Sequence, residues 1–207
     1  MIKCDLWGVD IENVACGWPV VKGDCIAGNS DSCIAVITLA SSFEPYEEAA
    51  MWGSCKTENL GAEKIIINTV SNSNIRYLLI CGNESRGHLA GRTLIALHKN
   101  GIDEDGRIIG SDGAIPFIEN ISRDVIERFQ KQVSLIEHIG LVDIDEIRRI
   151  VDEYKEKEGP YHEAAFVVES AKKKSRPVMD ITSGDIMVSG NVMLDSTSGI
   201  VCEVESN

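Results

Sequence analysis

Two short apolar runs, "CIAVITLA" at residues 33–40 and "NIRYLLICG" at 74–82, constrain the fold more than any other feature of the chain. Each is continuous rather than alternating, rich in β-favouring residues and bounded by turn residues, which is how a strand covered on both faces reads. The stretches around them read as helices. Residues 46–54 and 57–72 fit a helical pair interrupted at Gly61. "HLAGRTLIALHKNG" sets Leu89, Leu94, Ile95 and Leu97 near helical spacing and stops at Asn100 and Gly101. "GRIIGS" (106–111) reads as a third strand; "SRDVIERFQKQV" (122–133) reads as a helix opening on Ser122, and a further helix follows in 141–159. Strands alternating with helices predict an α/β fold of Rossmann-like type: a mostly parallel sheet with helices on both faces.

This alternation covers roughly residues 17–158, and the first domain is assigned to 1–158. Residues 159–179, with the run "KKKSR", read as a linker. Residues 180–207 alternate β-favouring runs with Ser-Gly and Gly-Asn turns, which predicts a small C-terminal β appendage.

Charge narrows the partners. The net charge of −13 repels a phosphate backbone, so nucleic acid is not expected. Seven cysteines, odd in number and without a C-x-x-C pair, read as reduced thiols in a cytoplasm. No apolar run approaches the ~20 residues that span a bilayer, and the charged N-terminus does not read as a signal peptide.

The turn "GNESRGHL" (82–89) lies between an apolar strand and a helix, where α/β folds place ligands. Its G-x-x-x-x-G spacing invites a phosphate-binding loop, but that motif continues with Lys and Ser/Thr, and here His88 and Leu89 follow. His88 is left as either a solvent-facing or capping residue or a metal ligand. Without partners at ligand spacing it is a poor protein-only metal site, whereas a single imidazole suffices for a metal held in a macrocycle. The D-x-H-x-x-G cobalamin signature is met in part by "RGHLAG", with His88 and Gly91 in place and Arg86 where the aspartate would stand. "GSDGAIPFIENI" (110–121) is a turn or a ligand wall, with Pro116 and Phe117 as an apolar rim. His98, at a helix end, is explained by the helix dipole, and Thr57 by capping.

Taken together, "GWPVVKGD" (17–24), "CKTENLGAEKI" (55–65), "SNSNIRYLLICG" (71–82), "GHLAG" (87–91), "GRIIGSDGAIPFIENI" (106–121) and "RFQKQV" (128–133) closely resemble the corrinoid-carrying A-subunit of tetrahydromethanopterin S-methyltransferase. The resemblance implies a cobamide-binding methyl carrier, cycling between cobalt(I) and methylcobalt(III). It would take a methyl group from methyl-tetrahydromethanopterin and pass it toward coenzyme M or another acceptor. It implies that His88 is the lower axial ligand of the corrin cobalt and the catalytic residue. The cobamide would lie across the C-terminal edge of the sheet, against Asn83, Glu84, Gly87, His88, Leu89 and Gly91 on one loop. On the other loop it would meet Ser111, Gly113, Ala114, Ile115, Pro116 and Phe117. Glu84 is the candidate partner for the second imidazole nitrogen. The implied partners are methyl-donor and methyl-acceptor methyltransferase subunits. Family members in the membrane complex end in an apolar anchoring helix, and nothing in residues 159–207 is long enough to insert. A non-catalytic α/β binding or regulatory module that keeps the family fold is the alternative reading.

Overall fold

The computed structural model describes residues 13–168 and the backbone of three further strands between 186 and 203. The chain divides into two compact units, Met1–Glu169 and Ser170–Asn207. In the first unit, β1 (Cys25–Ala27), β2 (Ile34–Ile37), β3 (Met51–Gly53), β4 (Tyr77–Ile80) and β5 (Ser134–Glu137) form one sheet in the order β1-β3-β2-β4-β5. All neighbours are parallel except β1, which runs antiparallel to β3. The helices are α1 (Leu60–Val70), α2 (Ala90–Asn100), α3 (Arg123–Gln132) and α4 (Ile144–Tyr154). In the second unit, β6 (Ile186–Ser189), β7 (Val192–Leu194) and β8 (Val201–Glu203) form an antiparallel sheet, the expected β appendage.

The two apolar runs supply the central strands, and their pleat explains why Ile34–Ile37 and residues 78–81 carry no polar residue. Ala35, Ile37, Leu78 and Ile80 pack with side chains of α1, α2 and α3 into one core. Ile34, Val36, Leu79 and Cys81 pack with Ile147, Ile150 and Val151 of α4 into another. Each such buried leucine or isoleucine stabilises the fold by about 1.5–3 kcal/mol. The α/β class with helices on both faces is thus realised.

Two expectations about the sheet are corrected. Residues 46–54 are not a helix: Met51–Gly53 is β3, fully buried, so the sheet claims a segment whose composition favours a helix. Residues 106–111 add no strand to the sheet; they make only isolated antiparallel bridges, Ile102 with Ile108 and Arg107 with Phe117. The two edge strands, β1 and β5, carry mixed exposure and no continuous apolar run, so nothing in their sequence announced them. The thiols differ as well. Cys25, Cys33, Cys55 and Cys81 are free, but Cys16 is in a disulfide.

The topology sets up a ligand site. From β2 the chain moves to β3 on one side, and from β4 it moves to β5 on the other, so the loops leaving the adjacent ends of β2 and β4 diverge and open a crevice. Gly82 lets these two loops touch. It has φ +77°, and a Cβ there would lie 2.2 Å from the Thr38 carbonyl oxygen.

Candidate functional site

Three segments meet at the C-terminal edge of the sheet: 54–59 after β3, 81–89 after β4, and the loop 111–121 before α3. Helix α1 begins at Asn59, whose side chain accepts from the Leu60 N–H, while the Thr57 hydroxyl accepts from the Gly61 N–H at 3.0 Å. Thr57 therefore supports the first turn, but Asn59 is the cap. Between them stands Glu58, its side chain only 1% exposed. A carboxylate so buried needs partners for both oxygens. Oε1 accepts the Ile115 N–H at 2.6 Å, and Oε2 pairs with His88 Nδ1 at 2.8 Å.

Burial alone would raise the Glu58 carboxyl. Its own N–H, the Ile115 N–H and His88 outweigh that effect and hold it below its ordinary 4.5. Glu58 is therefore an anion at neutral pH, and the proton of a neutral His88 is drawn to Nδ1. That leaves the lone pair on Nε2. His88 is 48% exposed at the side chain, and its Nε2 has no hydrogen-bond partner among the described residues.

Glu84 does not partner His88. Its carboxylate instead accepts from the Gly91 and Arg92 N–H groups at 3.1 and 2.8 Å, capping α2 from the preceding turn. This replaces the cap that Leu89, at the N-cap position with φ +49°, has no side chain to make. Asn83 ties the turn to the β2 loop through the Ser41 hydroxyl and the Ala40 N–H. Gly87, with φ +79°, lies open beside His88.

The loop 111–121 is seated against the same place. Ser111, buried, shares a 2.7 Å hydrogen bond with the Thr93 hydroxyl and accepts from the Gly113 N–H. Gly113 packs so closely that a Cβ there would lie 2.8 Å from the His88 carbonyl oxygen and 3.0 Å from Glu58 Cγ. Ala114 and Ile115 are exposed and Pro116 is buried, so the apolar rim is Ile115 with the half-buried Phe117 rather than Pro116. The two sequence-predicted loops thus come together, although no parallel strand at 106–111 leads into the second of them.

Cavities of about 370 and 410 Å³ flank the C-terminal end of β3, and Cys25, Ser54 and Lys56 border both. Cys55 lines the first but is unfit as a nucleophile, its thiol pushed up to about 12 by burial. His98 is built into the core, with Nε2 donating to the Val133 carbonyl and the ring set edge-on against Phe129. Burial lowers its pKa below 6.5, which corrects the expectation of a cation favoured by the helix dipole.

A sequence model of the MtrA family, the A-subunit of tetrahydromethanopterin S-methyltransferase, matches residues 12–177. The chain belongs to this family. It is accordingly a methyltransferase component. Among its relatives, the A-subunit of the Methanosarcina acetivorans "Putative methyltransferase Mtx" is 56% identical over 196 residues, 95% of this chain and 100% of the relative. The first A-subunit of tetrahydromethanopterin S-methyltransferase from Methanothermobacter thermautotrophicus is 51% identical over 165 residues, 77% of this chain and 69% of the relative. The corresponding A-subunit from Methanocaldococcus jannaschii is 42% identical over 163 residues, 74% of this chain and 66% of the relative. The family match spans every residue of the site, including Glu58, which sequence reasoning passed over. No helix among the described residues is long and apolar enough to cross a membrane.

Proposed function

We propose that this chain is a corrinoid-binding methyl carrier in which His88 Nε2 is the lower axial ligand of a cobamide cobalt. It moves a methyl group from methyl-tetrahydromethanopterin toward coenzyme M or another acceptor. The observation that supports this reading is the Glu58–His88 pair: a buried anion fixes the tautomer and leaves a solvent-reachable Nε2 lone pair at the sheet's C-terminal edge. Among the described residues no cluster of three or more His, Cys, Asp or Glu side chains could hold a metal ion. One well-held imidazole is the donor set that suits a metal already held in a macrocycle.

When bound, the cobamide supplies a cobalt centre that accepts and gives up the methyl group. The chain's own residues do the rest. Glu58 holds the His88 ring at Nδ1 and makes its Nε2 a stronger donor than a free imidazole. The Nδ1 bond keeps the buried Glu58 charge paired while Nε2 stays free to face a ligand. Gly87 gives open backbone beside the imidazole, and Ile115 and Phe117 offer apolar contact to a large flat ligand; Gly91, expected at the same surface, is buried against Leu39 and Glu84 and offers none. Methyl-donor and methyl-acceptor subunits are the partners, in the cytoplasm.

Reconstitution of the purified chain with a cobamide tests this. The expected result is a coloured protein that keeps its corrinoid absorption through gel filtration; a colourless protein would overturn the reading.

A further inference from the structure

A second buried carboxylate stands five residues after Glu58, and it grips the same loop. Glu63, on the first turn of α1, is 4% exposed. Its Oε1 accepts the Glu119 N–H at 2.7 Å and the Asn120 N–H at 2.9 Å, and its Oε2 accepts from Asn120 Nδ2 at 2.8 Å. Glu58 meets that loop at Ile115. One short segment, 58–63, thus clamps the loop at two points. Between the clamps Pro116 and Ile118 bond through their backbone to Ile108 and Gly106, the Ile118 side chain is buried in the core, and Arg107 lies over the Phe117 ring.

These bonds form one mechanical series. Glu63 fixes Glu119 and Asn120; their position limits where the Ile115 N–H can lie. That N–H holds Glu58 Oε1 and so aims Oε2 at His88 Nδ1. The geometry points to Glu63 as a positioning residue that holds His88 in its Nδ1–H tautomer through the loop 115–120, without touching the imidazole. Its meaning for methyl transfer rests on the proposed axial role of His88, but the positioning itself concerns the protein alone and is measurable without any cobamide.

A merely structural glutamate would affect stability and leave the imidazole as it was. The distinguishing readout is the tautomer of His88, read from imidazole ¹⁵N shifts of ¹⁵N-histidine-labelled protein without cofactor. Assignment comes from the signal lost in His88→Gly. Wild type should show mainly the Nδ1–H form. Glu63→Ala, and the milder Glu63→Asp, which is one methylene short of the loop, should lower the Nδ1–H fraction by about half, toward the Nε2–H form. Glu63→Gln, whose amide oxygen still accepts both backbone N–H groups once the exposed Asn120 amide turns its oxygen toward the new NH2, should retain it. An unchanged tautomer in Glu63→Ala or Glu63→Asp would overturn the inference. So would a loss in Glu63→Gln as large as in Glu63→Ala, because charge and not the clamp would then be acting. Failure of wild type to bind cobamide would refute the carrier reading and leave this result standing.

Discussion

Glu58 Oε2 lies 2.8 Å from His88 Nδ1, across 30 residues of sequence, and this pair joins the strand-to-helix turn after β4 to the start of α1. Removing the carboxylate leaves two donors, His88 Nδ1–H and the Ile115 N–H, without their acceptor. Glu58→Ala should destabilise the protein by about 2–4 kcal/mol, the loss expected for buried charge-assisted hydrogen bonds. On the proposed reading it should also weaken cobamide binding about 10- to 100-fold, as for other partners of metal-ligating histidines. Urea denaturation and spectroscopic titration measure the two effects separately.

Gly113 tests how closely the loop 111–121 is seated. A methyl group there would stand 2.8 Å from both the His88 carbonyl and the Thr93 hydroxyl. Since a backbone carbonyl cannot turn aside as a flexible side chain can, Gly113→Ala should cost about 1–3 kcal/mol and displace the loop. Thermal unfolding, with the Ile115 amide resonance as a local probe, checks this. An unshifted Ile115 signal at wild-type stability would mean the loop yields freely.

His98 sets a pH dependence away from the site. Burial comes first among its causes and lowers the folded pKa below the ordinary 6.5. The unfolded chain therefore takes up a proton at higher pH than the folded one. The stability contributed by neutral His98 is fully present above pH 6.5 and is lost as pH falls through 6.5 toward the folded value. Wild type should lose stability between pH 7.5 and pH 5.5, a window set about that ordinary value, more steeply than His98→Gln, whose amide can still donate to the Val133 carbonyl. Urea midpoints at the two pH values give the comparison; parallel losses would assign the pH dependence to other groups.

The central strands were legible because burial on both faces leaves a continuous apolar run, as in Leu78, Leu79 and Ile80. The end of α2 was legible because Gly101 follows it with φ +71°, a local signal. β3 was not: three residues, Met51 to Gly53, are extended only because β1 and β2 pair with them on either side. Tertiary pairing there overrides composition. "GRIIGS" has the right residues for a strand but folds back on Phe117 instead of joining the sheet. Of the site, the turn with His88 was visible from its place between strand and helix. Glu58 was not, since a glutamate near a helix start reads as a dipole-complementing surface charge. Only its inclusion in the block "CKTENLG", one of those that carry the resemblance, marked it.

The central claim is tested most directly by electron paramagnetic resonance of the cobamide-loaded protein in the cobalt(II) state, with ¹⁵N-labelled histidine. Wild type should show one ¹⁵N nucleus coupled to cobalt. His88→Gly should lose that coupling while keeping bound corrinoid, because one axial bond is removed from a ligand with many other contacts. A wild-type spectrum without ¹⁵N coupling, or a His88→Gly spectrum that retains it, would contradict the assignment of His88 as the axial ligand.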